Sequence, residues 1–344
     1  MERMYLANTG TEAVEAALKF ARYVTGRPRV LYCSHAYHGL TAGSLSVNGS
    51  EDFRHGFGPL LPGAMVPFGD LDALGAEVRR GDVAALVVEP IQGKGVHVAP
   101  PGYLAAAAEL LHRHRALLIC DEVQTGLGRT GTFFAYQADG VEPDMVTVAK
   151  TLSGGYVPVG ATLATRRVFD KVFSSMDRMM VHDSTFGGNN LAMAAGLATL
   201  AVIEDEGLVA NAAFQGERWI RALRAMVPRY ELLADVRGRG LMIGIEFGRP
   251  RNLRLRGAWK ALRTARVGLF AQVVVGALFE RHRILTQVAG DHMDVIKLLP
   301  TMVVGDEEAD CFLTGFAEVM DAVHSSTGPL WHFGRELVAH AIRK

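Results

Sequence analysis

Two charged residues, Asp121 and Lys150, each follow an apolar run of strand length. The first run begins at Ala116, and the second follows Asp144. Continuous apolar runs of this length are typical of strands buried on both faces of a parallel sheet. Ligands of such sheets bind in the crevice outside the carboxyl ends of the strands. We therefore expect the two side chains to project into one crevice from neighbouring strands.

A carboxylate and an amine in one crevice suit pyridoxal 5'-phosphate (PLP). The amine of Lys150 would form a Schiff base with the aldehyde. The carboxylate of Asp121 would keep the pyridine nitrogen protonated, so that the ring withdraws electrons. The alternative is a pair of ordinary strand-end charges, one of them in a salt bridge.

Among the seven lysines of the chain, only Lys150 ends a fully apolar run and meets a glycine turn. Lys94, which follows Glu89-Pro-Ile-Gln-Gly93, is the rival nucleophile. A lysine that forms a Schiff base must be desolvated so that it is neutral near pH 7. We expect Lys150 to be the better buried of the two.

Two segments could bind a phosphate group. Gly10 and Thr11 stand between a predicted strand and a predicted helix, where free backbone N–H groups and a glycine form a phosphate cradle. Ser184 and Thr185 lie among glycines just before another predicted helix, and their hydroxyls suit phosphate oxygens. Simple helix capping explains either segment as well.

The remaining site candidates lie near predicted strand ends and could contact the ring of the cofactor. We predict that Tyr37 stacks on the ring, Val123 packs against its face and Gln124 bonds its hydroxyl, with Glu89 anchoring this network. His38, between Tyr37 and a glycine, completes the set of predicted cofactor contacts. Core packing of a tyrosine and a plain buried glutamate are the competing explanations.

The elements that must position these residues alternate between strands and helices. Apolar runs and helix-start signals predict this order over the first half of the chain. The segments are strands at Met4–Ala7, Arg29–Cys33 and Val83–Glu89, and helices at Ala13–Val24, Leu71–Arg80 and Pro101–Arg115. The alternation predicts an α/β fold with a mostly parallel sheet.

The pattern changes after Phe186, where two helices, Asn190–Asp205 and Leu208–Val227, follow each other. Two strands, within Gly240–Phe247 and Asp294–Leu299, come later. We predict a large cofactor-binding domain over residues 1–205 and a smaller C-terminal α/β domain over residues 206–344. A chain of 344 residues, 49% of them hydrophobic, can bury two such cores.

Charge and cysteine content exclude several classes of function. A formal net charge of zero gives no support for nucleic-acid binding. The three widely spaced cysteines fit neither a disulfide framework nor a metal site. With no signal peptide and no apolar run long enough for a membrane span, we expect a cytoplasmic protein.

A basic stretch runs from Arg249 to Arg266 without an acidic residue. Leu255, Trp259, Leu262 and Arg266 would share one face of a helix there. A solvated basic face is one interpretation. Docking to an acidic carrier protein or to a membrane surface is the other.

In order, these motifs resemble the class III PLP-dependent aminotransferases of the ornithine and ω-amino acid type. The matching segments cover nearly the whole chain: Asn8–Ala13, Tyr37–Gly39, Glu89–Gly93, Asp121–Gly131, Ala149–Gly155 and Ser184–Gly187. The resemblance implies fold type I and ping-pong transfer of an amino group from an amine donor to an oxo acceptor. It also implies a homodimer in which Thr185 reaches the phosphate of the neighbouring subunit's cofactor.

The chain departs from the family pattern at three places. The N-terminal arm and helices that precede the Asn8 motif in the family are absent, which predicts a fragment. Lys94 stands where ornithine-type members have a glutamate, and Lys297 stands where they have an arginine that grips the α-carboxylate. Lysine cannot offer a bidentate fork. We therefore expect a substrate that lacks an α-carboxylate in one half-reaction, with Arg129 or Arg239 left to bind a carboxylate.

Two other functions fit the same motifs. A PLP-dependent aminomutase or epimerase would need no separate oxo acceptor. A truncated, inactive relative would serve as a binding or scaffold subunit.

Overall fold

The computed structural model describes residues 1–290 and 292–324, so the end of the predicted C-terminal domain lies outside the described residues. The chain forms two compact units. The first comprises Met1–Gly93 and Val98–Val209. The second comprises Lys94–His97 and the chain from Ala210 onward.

The first unit is built on a seven-stranded sheet. Its strands are β1 (Arg3–Ala7), β2 (Arg29–Cys33), β3 (Gly63–Val66), β4 (Val83–Val88), β5 (Leu117–Asp121), β6 (Met145–Val148) and β7 (Gly160–Ala164). The spatial order is β1-β7-β6-β5-β4-β2-β3, and β7 runs antiparallel to both of its neighbours. All other neighbours pair in parallel. The predicted α/β fold with a mostly parallel sheet is confirmed.

Every residue of β4, β5 and β6 is buried, because helices cover both faces of the sheet. The helices of this unit are α1 (Gly10–Thr25), α2 (Ala42–Ser46), α3 (Glu51–Arg54), α4 (Leu71–Val78), α5 (Tyr103–Arg113), α6 (Arg166–Val172) and α7 (Asn190–Asp205). Short 3-10 helices span Ala135–Asp139, Lys150–Ser153 and Met176–Arg178. Two apolar cores result, one with α1 and one with α4 and α5.

The second unit has a four-stranded antiparallel sheet. Its elements are α8 (Leu208–Met226), β8 (Leu233–Arg239), β9 (Met242–Phe247), α9 (Leu253–Ala265), α10 (Leu269–His282), β10 (Gln287–Val288), β11 (Val295–Leu298) and α11 (Asp306–His324). The strand order is β10-β11-β9-β8. Ile243 and Ile245 of β9 pack into one core with the helices.

The segment Lys94–His97 covers the other face of this small sheet. A Cβ built on Gly244 of β9 would lie 2.9 Å from the Val96 Cβ. Lys297 of β11 pairs directly with Gly244, so its side chain lies on the same face as Val96. Arg237 fixes the segment, since its Nη2 donates to the Gly95 carbonyl at 2.7 Å.

The basic stretch forms α9 as predicted. Its apolar residues Leu255, Trp259 and Leu262 are buried in the second unit's core. Arg266 lies just beyond the helix as its C-terminal cap and is exposed.

Within the described part of the chain, no single helix has the length and apolarity needed to cross a membrane. Taken together, α9 and α10 are long and apolar enough for a membrane span, but the two helices are bent by 104° relative to each other.

Candidate active site

The site is organised around Asp121, which ends β5 and is buried. Its Oδ2 lies 2.7 Å from His38 Nδ1. Its Oδ1 accepts hydrogen bonds from the Val123 N–H at 3.1 Å and from the Thr147 hydroxyl at 2.9 Å. Burial alone would raise the pKa of Asp121, but these hydrogen bonds and the charge of His38 hold that pKa below its usual value. The carboxylate therefore stays ionised.

His38 is fully buried, and Asn48 holds the backbone of His38 and of the following residue. Its backbone N–H donates to Asn48 Oδ1 at 3.2 Å, and Asn48 Nδ2 donates to the Gly39 carbonyl at 2.5 Å. Burial alone would lower the pKa of His38, but the hydrogen bond and charge of Asp121, together with the charge of Glu89, raise it. Among the described residues, the Nε2 atom of His38 has no hydrogen-bond partner.

Glu89 follows β4 and ties two backbone segments of the site together. Its two carboxylate oxygens accept from the N–H of Tyr37 at 3.1 Å and from the N–H of Gly93 at 2.8 Å. Burial raises the pKa of Glu89, and the charge of Asp121 adds to that effect, while His38 opposes it. A Cβ on Gly93 would lie 2.7 Å from Gln124 Oε1, so Gln124 belongs to the same cluster.

The N-terminus of α1 lies against the end of β5. A Cβ on Gly10 would come within 2.9 Å of Val123 Cγ1 and 3.5 Å of Ala149 Cβ. Thr9 caps the helix, and its hydroxyl accepts from the Glu12 N–H at 3.2 Å. The N–H groups of Gly10 and Thr11, at the first two helical positions, have no partner within the helix, so they are available to an anion.

Hydroxyl groups surround this helix end. The Thr11 hydroxyl lies 2.6 Å from that of Ser44. Gly39 has a φ of +120°, and a Cβ there would lie 2.3 Å from Thr11 Oγ1. Only glycine lets the segment after His38 approach α1 so closely.

The predicted phosphate residues Ser184 and Thr185 occupy different environments. Asn8 Nδ2 donates to the Ser184 hydroxyl at 2.7 Å, which brings Ser184 to the start of α1. Thr185 is exposed.

Tyr37, the residue predicted to stack on the ring, packs against another aromatic side chain. It lies edge-on to Phe53, with ring centroids 5.7 Å apart.

Lys150 follows β6 directly after the buried Ala149. Its φ is +43°, a left-handed conformation that is strained for any residue with a side chain. This residue starts the 3-10 helix Lys150–Ser153, and it is exposed in the single chain. The expectation that Lys150 is better buried than Lys94 is therefore wrong, since Lys94 is half-buried.

Sequence reasoning missed two residues of the site. The first is Thr147, which pairs in register with Asp121. It was not identified because it lies in an apolar strand, where threonine is common owing to its β propensity. Glu122 is buried beside Asp121, and burial raises its pKa to about 7. Its hydrogen bonds from Thr125 and Tyr136 show that it fixes the glycine-rich loop that follows β5.

Comparisons with known proteins agree on one family. The family model for class III aminotransferases matches residues 1–320. The aminotransferase PigE of a Serratia species is 38% identical over 93% of this chain, and the chain spans 41% of its length. The acetylornithine aminotransferase of Mycobacterium leprae is 40% identical over 95% of the chain and 73% of its own length.

A solved structure extends the likeness to three dimensions. The ornithine aminotransferase of Toxoplasma gondii superposes with a TM-score of 0.83 at 34% identity. The match covers 94% of this chain and 73% of that one.

Proposed function

Because this chain belongs to the class III aminotransferase family, with the fold-type I architecture, we propose that it is a PLP-dependent aminotransferase. It moves an amino group between an amine or ω-amino compound and an oxo acid or aldehyde. The observation that carries the proposal is the buried, ionised Asp121 at the end of β5, beside the N-terminus of α1 and the strand that leads to Lys150.

The residues of the site fit PLP in charge and in hydrogen-bonding capacity. The N–H groups of Gly10 and Thr11 suit the phosphate dianion, and Ser184 lies close to the same helix end. Asp121 suits a protonated ring nitrogen, and the unpartnered His38 Nε2 marks unused polar capacity beside it. We assign Tyr37, Val123 and Gln124 to the ring and its hydroxyl, with Glu89 holding the backbone around them.

When bound, the cofactor supplies an electron sink for the carbon that carries the amine. Lys150 Nζ moves the proton at that carbon as general acid and base. Asp121 Oδ2 holds the proton of the ring nitrogen. His38 and Thr147 keep the Asp121 carboxylate fixed and ionised while the proton at carbon moves.

The proposed substrate class rests on two cations, one in β11 of the small sheet and one in the segment that covers that sheet. Lys94 and Lys297 replace the glutamate and the arginine that the family resemblance leads one to expect for ornithine. A single ammonium group holds a carboxylate less specifically than a guanidinium fork does. We therefore assign a donor amine or acceptor aldehyde without an α-carboxylate, although two of the relatives are named for ornithine or acetylornithine.

Arg129 is the candidate for binding the carboxylate of the oxo acid. It lies in the glycine-rich loop after β5, and burial lowers the pKa of its guanidinium to about 10. A desolvated guanidinium gains more from a carboxylate than a hydrated one does, because the surrounding dielectric is low.

Dimerisation through α7 completes the proposal. Large apolar side chains are exposed in the sequence segments before and after Thr185, which itself is exposed. They are Met176, Met179, Met180, Phe186, Leu191 and Leu197. Exposed large apolar side chains in such number are typical of a subunit interface. A second copy seated there would receive Thr185 at its cofactor phosphate.

Two further assignments concern a partner protein and the cellular compartment of the enzyme. Because the apolar face of α9 is buried, its exposed arginines suit an acidic carrier protein better than insertion into a membrane. The three cysteines are free thiols, which suits the reducing cytoplasm.

A panel of amines with pyruvate and 2-oxoglutarate tests the function. We expect product only when an oxo acid is added, faster turnover of simple diamines or long-chain amines than of acetylornithine, and no product from Lys150→Ala. Turnover without an oxo acid would indicate an isomerase. No PLP absorbance band in the wild-type protein would indicate an inactive relative.

A further inference from the structure

We infer that Thr147 is a positioning residue that selects which oxygen of Asp121 serves the ring nitrogen, an inference that rests on the proposed function. Thr147 is fully buried in the middle of β6 and pairs directly with Asp121. Its hydroxyl donates to Asp121 Oδ1 at 2.9 Å. Neither its burial nor its place in the strand requires a hydroxyl, since valine has the same shape and a higher apolar content.

The Thr147 hydroxyl determines which oxygen of the Asp121 carboxylate keeps an open acceptor position. Each oxygen of a carboxylate offers two lone pairs. Both lone pairs of Oδ1 are used, one by Thr147 and one by the Val123 N–H at 3.1 Å. Oδ2 accepts one hydrogen bond, from His38 at 2.7 Å. With respect to the described residues 1–290 and 292–324, one acceptor position of the carboxylate therefore remains, and it is on Oδ2.

Without the Thr147 hydroxyl, two acceptor positions would be open, one on each oxygen. The ring nitrogen could then pair with either oxygen, and the carboxylate could rotate about its Cβ–Cγ bond to compensate. The carboxylate would also lose a donor that favours its ionised form, which raises its affinity for a proton. Thr147 thus fixes both the orientation and the charge of Asp121.

The chain provides a matched control in Thr162. It lies directly opposite Thr147 on β7, and both side chains are fully buried. The Thr162 hydroxyl donates to the Ala13 carbonyl at 2.7 Å, so its hydrogen bond is made to α1 and not to the Asp121 carboxylate. Thr147→Val and Thr162→Val each remove one buried hydroxyl at the same level of the same sheet, so they should have similar thermal stability.

The first measurement uses the apoprotein labelled with ¹³C at aspartate carboxyl carbons. We expect Thr147→Val to raise the apparent pKa of Asp121 by about one unit, because a hydrogen bond to a charged group is lost. Thr162→Val should leave the titration unchanged, and Thr147→Ser should restore it. Equal titrations in the two valine variants would overturn the inference.

The second measurement is PLP titration of the wild-type protein and the variants, followed by absorbance as a function of pH. We expect Thr147→Val to weaken PLP binding about tenfold and to shift the pH profile of the band, with recovery in Thr147→Ser. Thr162→Val should match the wild type. A wild-type protein that binds no PLP would refute the proposed function, whereas a bound PLP that ignores Thr147→Val would refute this inference alone.

Discussion

The buried carboxyl of Glu122 makes stability depend on pH in a way that can be calculated. Thr125 Oγ1 donates to its Oε2, and the Tyr136 N–H donates to its Oε1 at 2.9 Å. These hydrogen bonds favour the ionised form, but burial outweighs them and raises the pKa from 4.5 to about 7. Glu122 is therefore protonated in the folded protein at pH values where the unfolded chain has already lost that proton.

The sign and size of the effect follow from linkage. Between pH 4.5 and about 7 the folded state binds more protons than the unfolded state, so stability falls as the pH rises through this range. The difference between the two pKa values corresponds to about 3 kcal/mol. The loss is complete above the folded pKa, and stability no longer depends on this group at higher pH.

Glu122→Gln removes the titration while keeping the size of the side chain. We expect the unfolding free energy of the wild type to fall by about 3 kcal/mol relative to that of this variant from pH 4.5 to pH 8. Urea unfolding at several pH values, followed by circular dichroism, measures this difference. Thr125→Val removes one of the donors, so it should move the midpoint of the change to higher pH. A difference that stays constant over the whole range would refute the reasoning.

Two further variants test the cofactor cradle and the proposed dimer. Gly10→Ala places a Cβ 2.9 Å from Val123 Cγ1, so it should weaken PLP binding about tenfold in a spectrophotometric titration. Gly26→Ala, at a φ of +69° and with no neighbour within 4 Å, should cost about 1 kcal/mol of stability and leave PLP binding intact, and equal effects on binding would contradict the cradle. Leu197→Glu should raise the dimer dissociation constant about a hundredfold in analytical ultracentrifugation, because it buries an unpaired charge at the interface. Leu253→Glu, at a side chain that is 78% exposed on the second unit, is its control, and a dimer that tolerates Leu197→Glu would exclude α7 from the interface.

The parts of the site that could be predicted from the sequence are those fixed by local pattern. Apolar runs located β5 and β6, and helix-start chemistry located α1. The rule that ligands meet the carboxyl ends of parallel strands then brought Asp121 and Gly10 to one edge of the sheet. These inferences need only the period of the hydrophobic pattern and the topology of an α/β fold.

The parts that could not be predicted depend on long-range packing. The left-handed backbone conformation of Lys150 could not be predicted from its residue type, because this conformation is usually adopted by glycine. Thr147 acts through its register with Asp121, and register is set by the whole sheet. Lys94–His97 leaves the first unit to cover the small sheet, a path that depends on contacts with Gly244 and Arg237, far along the chain.

The central claim is that Lys150 is the residue to which the cofactor attaches. Borohydride reduction of the protein with bound PLP, followed by peptide mass spectrometry, identifies the lysine that carries the cofactor. We predict that the pyridoxyl group is found on the peptide that contains Lys150 and that Lys150→Ala removes it. A label on Lys94, or an unchanged label in Lys150→Ala, would contradict the assignment.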